Sequence, residues 1–203
     1  HLRAISADYI GVDYVQSMVD ACRGKFPDAR FEYADARSMP QFADASFDLV
    51  VFAWAGICMV DHAGRLAILC EVQRVLRPGG YFIFSTYNQD GADHDAPFAF
   101  PDFSWSANPL RLAANTLNFA RSTVLGLLNR QRLLRFEVRS NEYSIINDRC
   151  HDYATMLYYI TFDNQLKQLV AAGFAGAVVA YDTDGNELAG ETAGNSFTFI
   201  VSG

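Results

Sequence analysis

The stretch DYIGVDYV, Asp8 to Val15, decides how the rest of the chain is read. Tyr9-Ile10-Gly11-Val12 has the composition of a short buried strand, and it ends on an acid, Asp13. A helical pattern follows at once: Val15, Met18, Val19 and Cys22 fall at i, i+3, i+4 and i+7, one face of a helix. An acid at a strand end, facing a strand-to-helix turn, is where many α/β proteins hold a ribose, usually about 20 residues after a glycine-rich phosphate loop. Here that count runs past the first residue. Asp also suits a helix N-cap, so the local pattern leaves ribose ligand and cap equally open.

Working outward, strand and helix patterns alternate with short connections. ARFEYADA alternates Phe31 and Tyr33 with polar neighbours and predicts a strand ending near Asp35. FDLVVFAWA is a nearly continuous apolar run, as in a central parallel strand buried on both faces. Residues 63–76 predict an amphipathic helix with Leu66, Leu69, Val72, Val75 and Leu76 inward. RPGG stops it, and YFIFSTY, 81–87, is the next strand. Such βαβ units build a largely parallel sheet with helices on both faces, and ligands bind at the carboxyl ends of its strands. Asp13, Asp35, the segment Ala53–Gly56 and Tyr87 all fall at such ends.

After Tyr87 the rhythm changes. Residues 88–109 read as a polar loop. Leu110, Ala113, Ala114, Leu117, Ala120, Val124, Leu125 and Leu128 then trace one helical face. A hairpin over 133–146 turns near Ser140-Asn141. A helix over 163–172, capped by Thr161 or Asp163, closes at Gly173, and strands at about 174–181 and 196–202 are expected to pair antiparallel. The 203 residues suit one domain over 1–203, with a core of 1–90 and 151–203 and a lid-like insertion over about 91–150.

The bulk numbers narrow the function classes. A hydrophobic fraction of 51% and a net charge of -7 describe an ordinary globular protein and argue against general nucleic-acid binding. Membrane spans are not expected. Cys22, Cys58, Cys70 and Cys150 show no metal-ligand spacing and read as core thiols of a reducing compartment; no metal site is expected. Residues 111–139 carry six arginines against one acid, Glu137, a local charge of +5. An apolar face beside arginines covers an active site, grips an anionic acceptor or lies on a membrane surface. Its ordinary reading is a solvated lid helix.

The order strand-acid, helix, strand-acid, helix, apolar strand, helix-LRPGG, strand, insertion, helix-AGF, antiparallel pair resembles the class I S-adenosylmethionine-dependent methyltransferases, a Rossmann-like family. YIGVDYVQSMV, FEYADARSMPQFADASFDLVVFAWA, EVQRVLRPGGYFIFS and LVAAGF carry the resemblance, over about residues 1–90 and 160–203. It implies an α/β fold with a mostly parallel sheet and a closing antiparallel pair, S-adenosyl-L-methionine as cofactor, and a small-molecule methyl acceptor in a cytoplasmic enzyme. It implies that Asp13 grips the ribose hydroxyls, that Tyr14 flanks the adenine, and that Asp35 and the backbone N–H of Ala36 recognise its edge. Ala53 and Trp54 then lie beneath the sulfonium. The resemblance implies no catalytic residue; His62 is the nearest candidate base, and a lone histidine is more often structural. Trp105, Phe119, Tyr153, Tyr158 and Tyr159 are candidate pocket linings and equally candidate core.

The family's first strand and glycine-rich loop have no counterpart here, and residues 1–7 read as the helix tail that would follow them. The expectation is a chain that starts inside such a domain, with a gap in its sheet and poor cofactor binding. Two other readings stand beside the methyltransferase: a nicotinamide-dependent oxidoreductase using Asp13, and a non-catalytic methyltransferase-like binding protein.

Overall fold

Strand β4 (Leu76–Asn88) is hydrogen-bonded to three other strands in a computed structural model that describes residues 2–4, 6, 8–190 and 194–203. On one side it pairs antiparallel with β10 (Ser196–Ser202) along its length, from Tyr81↔Ser202 to Tyr87↔Ser196. On the other side β3 (Phe47–Phe52) runs parallel to it as far as Phe52↔Phe84. Where β3 stops, β7 (Met156–Ile160) takes over the same edge at Tyr87↔Tyr159. The sheet continues through β6 (Ser144–Asn147) to β5 (Val138–Arg139), and past β10 to β8 (Val178–Tyr181) and β9 (Glu187–Leu188).

The alternation of β4 explains its position. Phe82, Phe84 and Thr86 face inward and are buried, with Phe197, Phe199 and Val201 of β10 beside them. Each fully buried phenylalanine contributes roughly 1.5–3 kcal/mol of transfer free energy. Helix α2 (His62–Val75) covers this face with Ile68, Leu69 and Val72, and α4 (Phe162–Ala171) adds Leu169. Thr161 caps α4 by accepting from the Asn164 N–H, and Gly173 closes it at φ +96°. The LRPGG segment belongs to β4 as a bulge rather than a turn before it: Phe47 faces Leu76, but Leu49 faces Tyr81. Gly80 is required there, because a Cβ would stand 3.0 Å from the Arg77 and Asp48 carbonyl oxygens. The tight turn at Asp184-Gly185 joins β8 to β9, while β8 and β10 pair antiparallel as expected.

The first part of the chain forms its own ladder. β1 (Ile10–Asp13) and β2 (Arg30–Tyr33) pair parallel, from Ile10↔Arg30 to Asp13↔Tyr33, and no ladder among the described residues joins them to β3. Two sequence expectations are corrected by this division. β3 is not buried on both faces: it pairs with β4 alone, and Leu49 is 40% exposed. Helix α1 (Gln16–Lys25) buries Val19 but leaves Val15 and Met18 exposed, because only a two-stranded ladder lies beneath it. The two sheets meet through a small cluster, Ala34, Met39, Phe42 and Val75, against which Ile10, Phe47 and Val50 pack. Of the helix read over residues 1–7, Leu2–Ala4 form a 3-10 turn and residues 1, 5 and 7 lie outside the described residues. The core-thiol reading holds for Cys58 alone: Cys22 is half-buried, and Cys70 and Cys150 are exposed.

The loop after β2 is stapled to α2 by charge-assisted bonds. Met39 N–H donates to Glu71 at 2.6 Å, and Arg74 donates to Glu71, Asp44 and the Met39 and Phe42 carbonyls. The Arg74 hydrogen bond, with help from Met39, holds the Glu71 carboxyl below its ordinary value. A depressed folded-state pKa gives stability that is complete above the ordinary glutamate range and lost as pH falls through the folded value. Glu71→Gln is expected to cost about 1–2 kcal/mol near neutrality and to flatten the acid limb. Urea unfolding at neutral and acidic pH checks this; an unchanged acid slope would remove Glu71 from the account.

Candidate functional site

The carboxyl ends of the parallel strands collect the acids that the sequence singled out. Asp13 closes β1 and Asp35 stands two residues beyond its register partner Tyr33, so the two acids share one edge of the small sheet. The Ala34 N–H donates to the Asp13 carbonyl at 3.1 Å and ties the two strand ends together. Asp13 Oδ1 accepts from the Val15 N–H at 2.8 Å, which is the helix-entry role that an aspartate suits. Its Oδ2 has no partner among the described residues, so the cap leaves a lone-pair face open. Tyr14 beside it is 65% exposed.

Asp35 is held by Arg37 through both oxygens, at 2.6 to 3.0 Å, and also accepts the Arg37 N–H. The Arg37 side-chain hydrogen bonds are the largest cause of its lowered pKa, so the carboxylate is ionised and oriented. Ala36, next in line, packs against the main core. Ala53 and Trp54 end the neighbouring strand β3 in the larger sheet. Trp54 (φ +57°) and Ala55 (φ +51°) are both left-handed, a costly conformation for residues with a Cβ. The turn is fixed by an Ala55 N–H bond to Ser85 Oγ at 2.9 Å, and Trp54 stands 97% exposed. The structure thus brings Asp13, Tyr14, Asp35 and Ala36 together at one strand edge, and places Ala53 and Trp54 at the end of a strand that shares no ladder with them.

His62 is engaged elsewhere. Its Nδ1 lies 2.8 Å from the Tyr158 hydroxyl, and its ring stacks on Tyr143 at 4.1 Å. Tyr158 also accepts from Gln168, and burial pushes its pKa up to about 12. Beneath it lies a residue the sequence reading missed. Arg65 is fully buried, stacks under the Tyr158 ring at 4.5 Å, and is hydrogen-bonded to neutral partners: Gln165, Gln168, Thr86 and the Ile57 carbonyl. No carboxylate pairs with it among the described residues. The signal was present, since Arg65, Ile68, Leu69 and Val72 fall at i, i+3, i+4 and i+7. Arg65 locks the 55–58 turn to α4, β4 and β7.

A second polar group missed by sequence lies past the ends of β4 and β7. Tyr159 donates to Asp148 at 2.6 Å and stacks with Tyr87, while His94 packs edge-on against Tyr159. Burial raises the Tyr159 pKa strongly. His94 Nδ1 lies 3.2 Å from Asp95, which is also gripped by Arg139 at 2.7 Å. His94 Nε2 and Asn147 Oδ1 are buried with no hydrogen-bond partner among the described residues, and the two residues border a cavity of about 40 Å³. Tyr153, Tyr158 and Tyr159 are core, Phe119 is half-buried, and Trp105, read as a pocket lining, is exposed. A larger cavity of about 600 Å³ between α4 and β8 is lined by Phe162, Leu166, Val170, Phe174 and Leu188 and holds none of the strand-end acids. No group of three metal-ligating side chains occurs among the described residues.

Comparison with known proteins finds methyltransferases. Residues 1–80 match the model of the methyltransferase domain family. The chain is 42% identical over 81 residues to the phthiotriol/phenolphthiotriol dimycocerosates methyltransferase of Mycobacterium tuberculosis, covering 39% of this chain and 28% of that protein. It is 29% identical over 134 residues to a probable S-adenosylmethionine-dependent methyltransferase of Mycolicibacterium smegmatis, covering 64% of this chain and 50% of that protein. The chain therefore spans between about a quarter and a half of the length of these relatives. An S-adenosylmethionine-dependent methyltransferase from Mesorhizobium loti shares the fold at a TM-score of 0.57 and 17% identity, over 99% of this chain and 83% of that one. The fold is that of the class I S-adenosylmethionine-dependent methyltransferases. Within it, residues 1–80 carry the methyltransferase domain match.

The buried guanidinium gives a prediction. Arg65→Ala removes the donors to Gln165 Oε1 and the Ile57 carbonyl, while Thr86 keeps its contact with Cys58, and is expected to cost about 2–4 kcal/mol. Arg65→Met fills the volume without a buried charge and is expected to cost less than half as much. Chemical denaturation compares them; equal small losses would show that the arginine does not organise this turn.

Proposed function

We propose that the protein binds S-adenosylmethionine through the strand-end acids and supports methyl transfer to a small-molecule acceptor, as a cytoplasmic enzyme. The observation that carries this is the acid pair Asp13 and Asp35 on one edge of a parallel ladder. The donor set fits a nucleoside. Asp13 Oδ2 is free to accept a ribose hydroxyl, and Asp35, already ionised, accepts from an exocyclic amine while Ala36 N–H meets a ring nitrogen. Ala36 adds no bulk where a flat base would lie, and Tyr14 is an exposed aromatic face that would flank it. Ala53 and the exposed Trp54 would lie beneath the sulfonium. When bound, the cofactor supplies an activated methyl group, so the protein contributes mainly alignment.

The segment of about 91–150, with α3 (Pro109–Leu133), β5 and β6, is read as the lid-like insertion over the acceptor side, with 1–90 and 151–203 as the core. The matched family and relatives are methyltransferases, which supports the methyl donor over a nicotinamide cofactor.

Ultraviolet cross-linking with tritiated S-adenosylmethionine, followed by peptide mapping, tests the assignment. Label is expected on peptides holding Tyr14 or Trp54, displaced by S-adenosylhomocysteine and not by NADH. Label confined to the cavity between α4 and β8, or displaced by NADH alone, would overturn it.

A further inference from the structure

Helix α3 is mounted inside out. The face that packs on the protein is largely polar or small, with Leu112, Phe119 and Leu133 half-buried along it. Asn115 donates to the Ser104 carbonyl, Ser122 reaches Asp152, Asn129 donates to the Asp152 carbonyl, and Arg130 donates to the Asn147 carbonyl and lies over the Tyr153 ring. Gly126 is the buried residue of the helix, 3.4 Å from Tyr153 if it carried a Cβ. The opposite face carries Leu110, Leu117, Val124 and Leu128, spaced by seven, seven and four residues, and these are 83%, 70%, 56% and 57% exposed. Seven and four residues are whole turns of a helix, so the four form one stripe along its length. An apolar stripe that folding does not bury is the reverse of what drives a surface helix to dock on its own core.

The charges beside the stripe are of one sign. Between Asp102 and Glu137 the chain has five arginines and no acid, in a protein of net charge -7. Arg111, Arg121, Arg132 and Arg135 are exposed. Phe103 and Trp105, just before the helix, and Leu134 and Phe136, just after it, are exposed as well. A helix of this length with arginines flanking leucines, and aromatic side chains at its end, has the make-up of one that lies in the headgroup plane of a membrane. No helix among the described residues is long and apolar enough to cross one. We infer that the outward face of α3 is a docking surface for an anionic lipid bilayer. The leucine stripe enters the acyl boundary and the arginines meet the headgroup phosphates. The choice of a bilayer over a second copy of the chain follows from charge: apposed copies would bring their arginine rows together, whereas an anionic surface neutralises them.

The test is vesicle co-sedimentation of the whole chain with phosphatidylcholine vesicles that contain or lack phosphatidylglycerol. Binding to the anionic vesicles is expected, weakened at high salt where surface charges are screened, with little binding to phosphatidylcholine alone. Leu117→Glu with Leu128→Glu is expected to lower the partition coefficient at least tenfold. Arg121→Glu with Arg132→Glu should lower it similarly and remove most of the salt dependence. All four side chains are exposed, so thermal unfolding should match the unaltered protein and serves as the folding control. No binding to anionic vesicles, or equal binding by the leucine pair variant, would overturn the inference. Sedimentation analysis supplies the alternative outcome: self-association that the leucine variant abolishes, without vesicle binding, would assign the face to a second copy and overturn it too.

Discussion

The placement of Ala53, Trp54 and the insertion depends on the hydrogen-bonding of β4 along both of its edges. Its β10 side closes the sheet with an antiparallel ladder, and its other side is shared in succession by β3 and β7. Because β3 stops at Phe52, the strand edge beyond Phe84 is free to take β7, and the hairpin strands β6 and β5 follow. The insertion is thereby anchored by backbone hydrogen bonds next to the turn that ends β3. Arg65 reinforces the same junction from below, binding the 55–58 turn, β4 and α4 through neutral partners. The buried charge holds the floor of the candidate site in one arrangement, and its cost in desolvation is offset by a full set of hydrogen bonds.

The opposite edge of β3 has no such partner among the described residues. β1 and β2 form a separate ladder, and the two sheets meet through side chains of one small cluster. The acids Asp13 and Asp35 are thus well placed relative to each other and less firmly placed relative to Ala53 and Trp54. A ligand that needs both groups gains part of its contacts from an edge that a backbone ladder does not hold, which lowers preorganisation and affinity.

Much of this was legible in the sequence. The alternation of strands and helices, the strand-end acids and the antiparallel closure follow from period and punctuation, and the structure places them where that reading put them. The failures have physical causes. The FDLVVFAWA run has the composition of a doubly buried strand, and composition does not reveal that β3 pairs along one edge alone among the described residues. LRPGG was read as a stop, because a bulge and a turn need the same glycines. His94 and Asp148 come together only through the return of β7 to β4, a long-range pairing that no local pattern encodes. Arg65 could have been found, since it occupies a core phase of α2. The face of α3 was identified correctly as a face, but periodicity does not say whether a face points inward.

The claim on which the account rests is that Asp13 and Asp35 form the nucleoside end of a methyl-donor site. Calorimetric titration of S-adenosylmethionine into the chain, beside Asp13→Ala and Asp35→Ala, measures it directly. The account predicts weak binding by the unaltered chain and a loss of at least about tenfold in each variant, as expected when a charged hydrogen-bond acceptor is removed. No difference in affinity among the three proteins would contradict it.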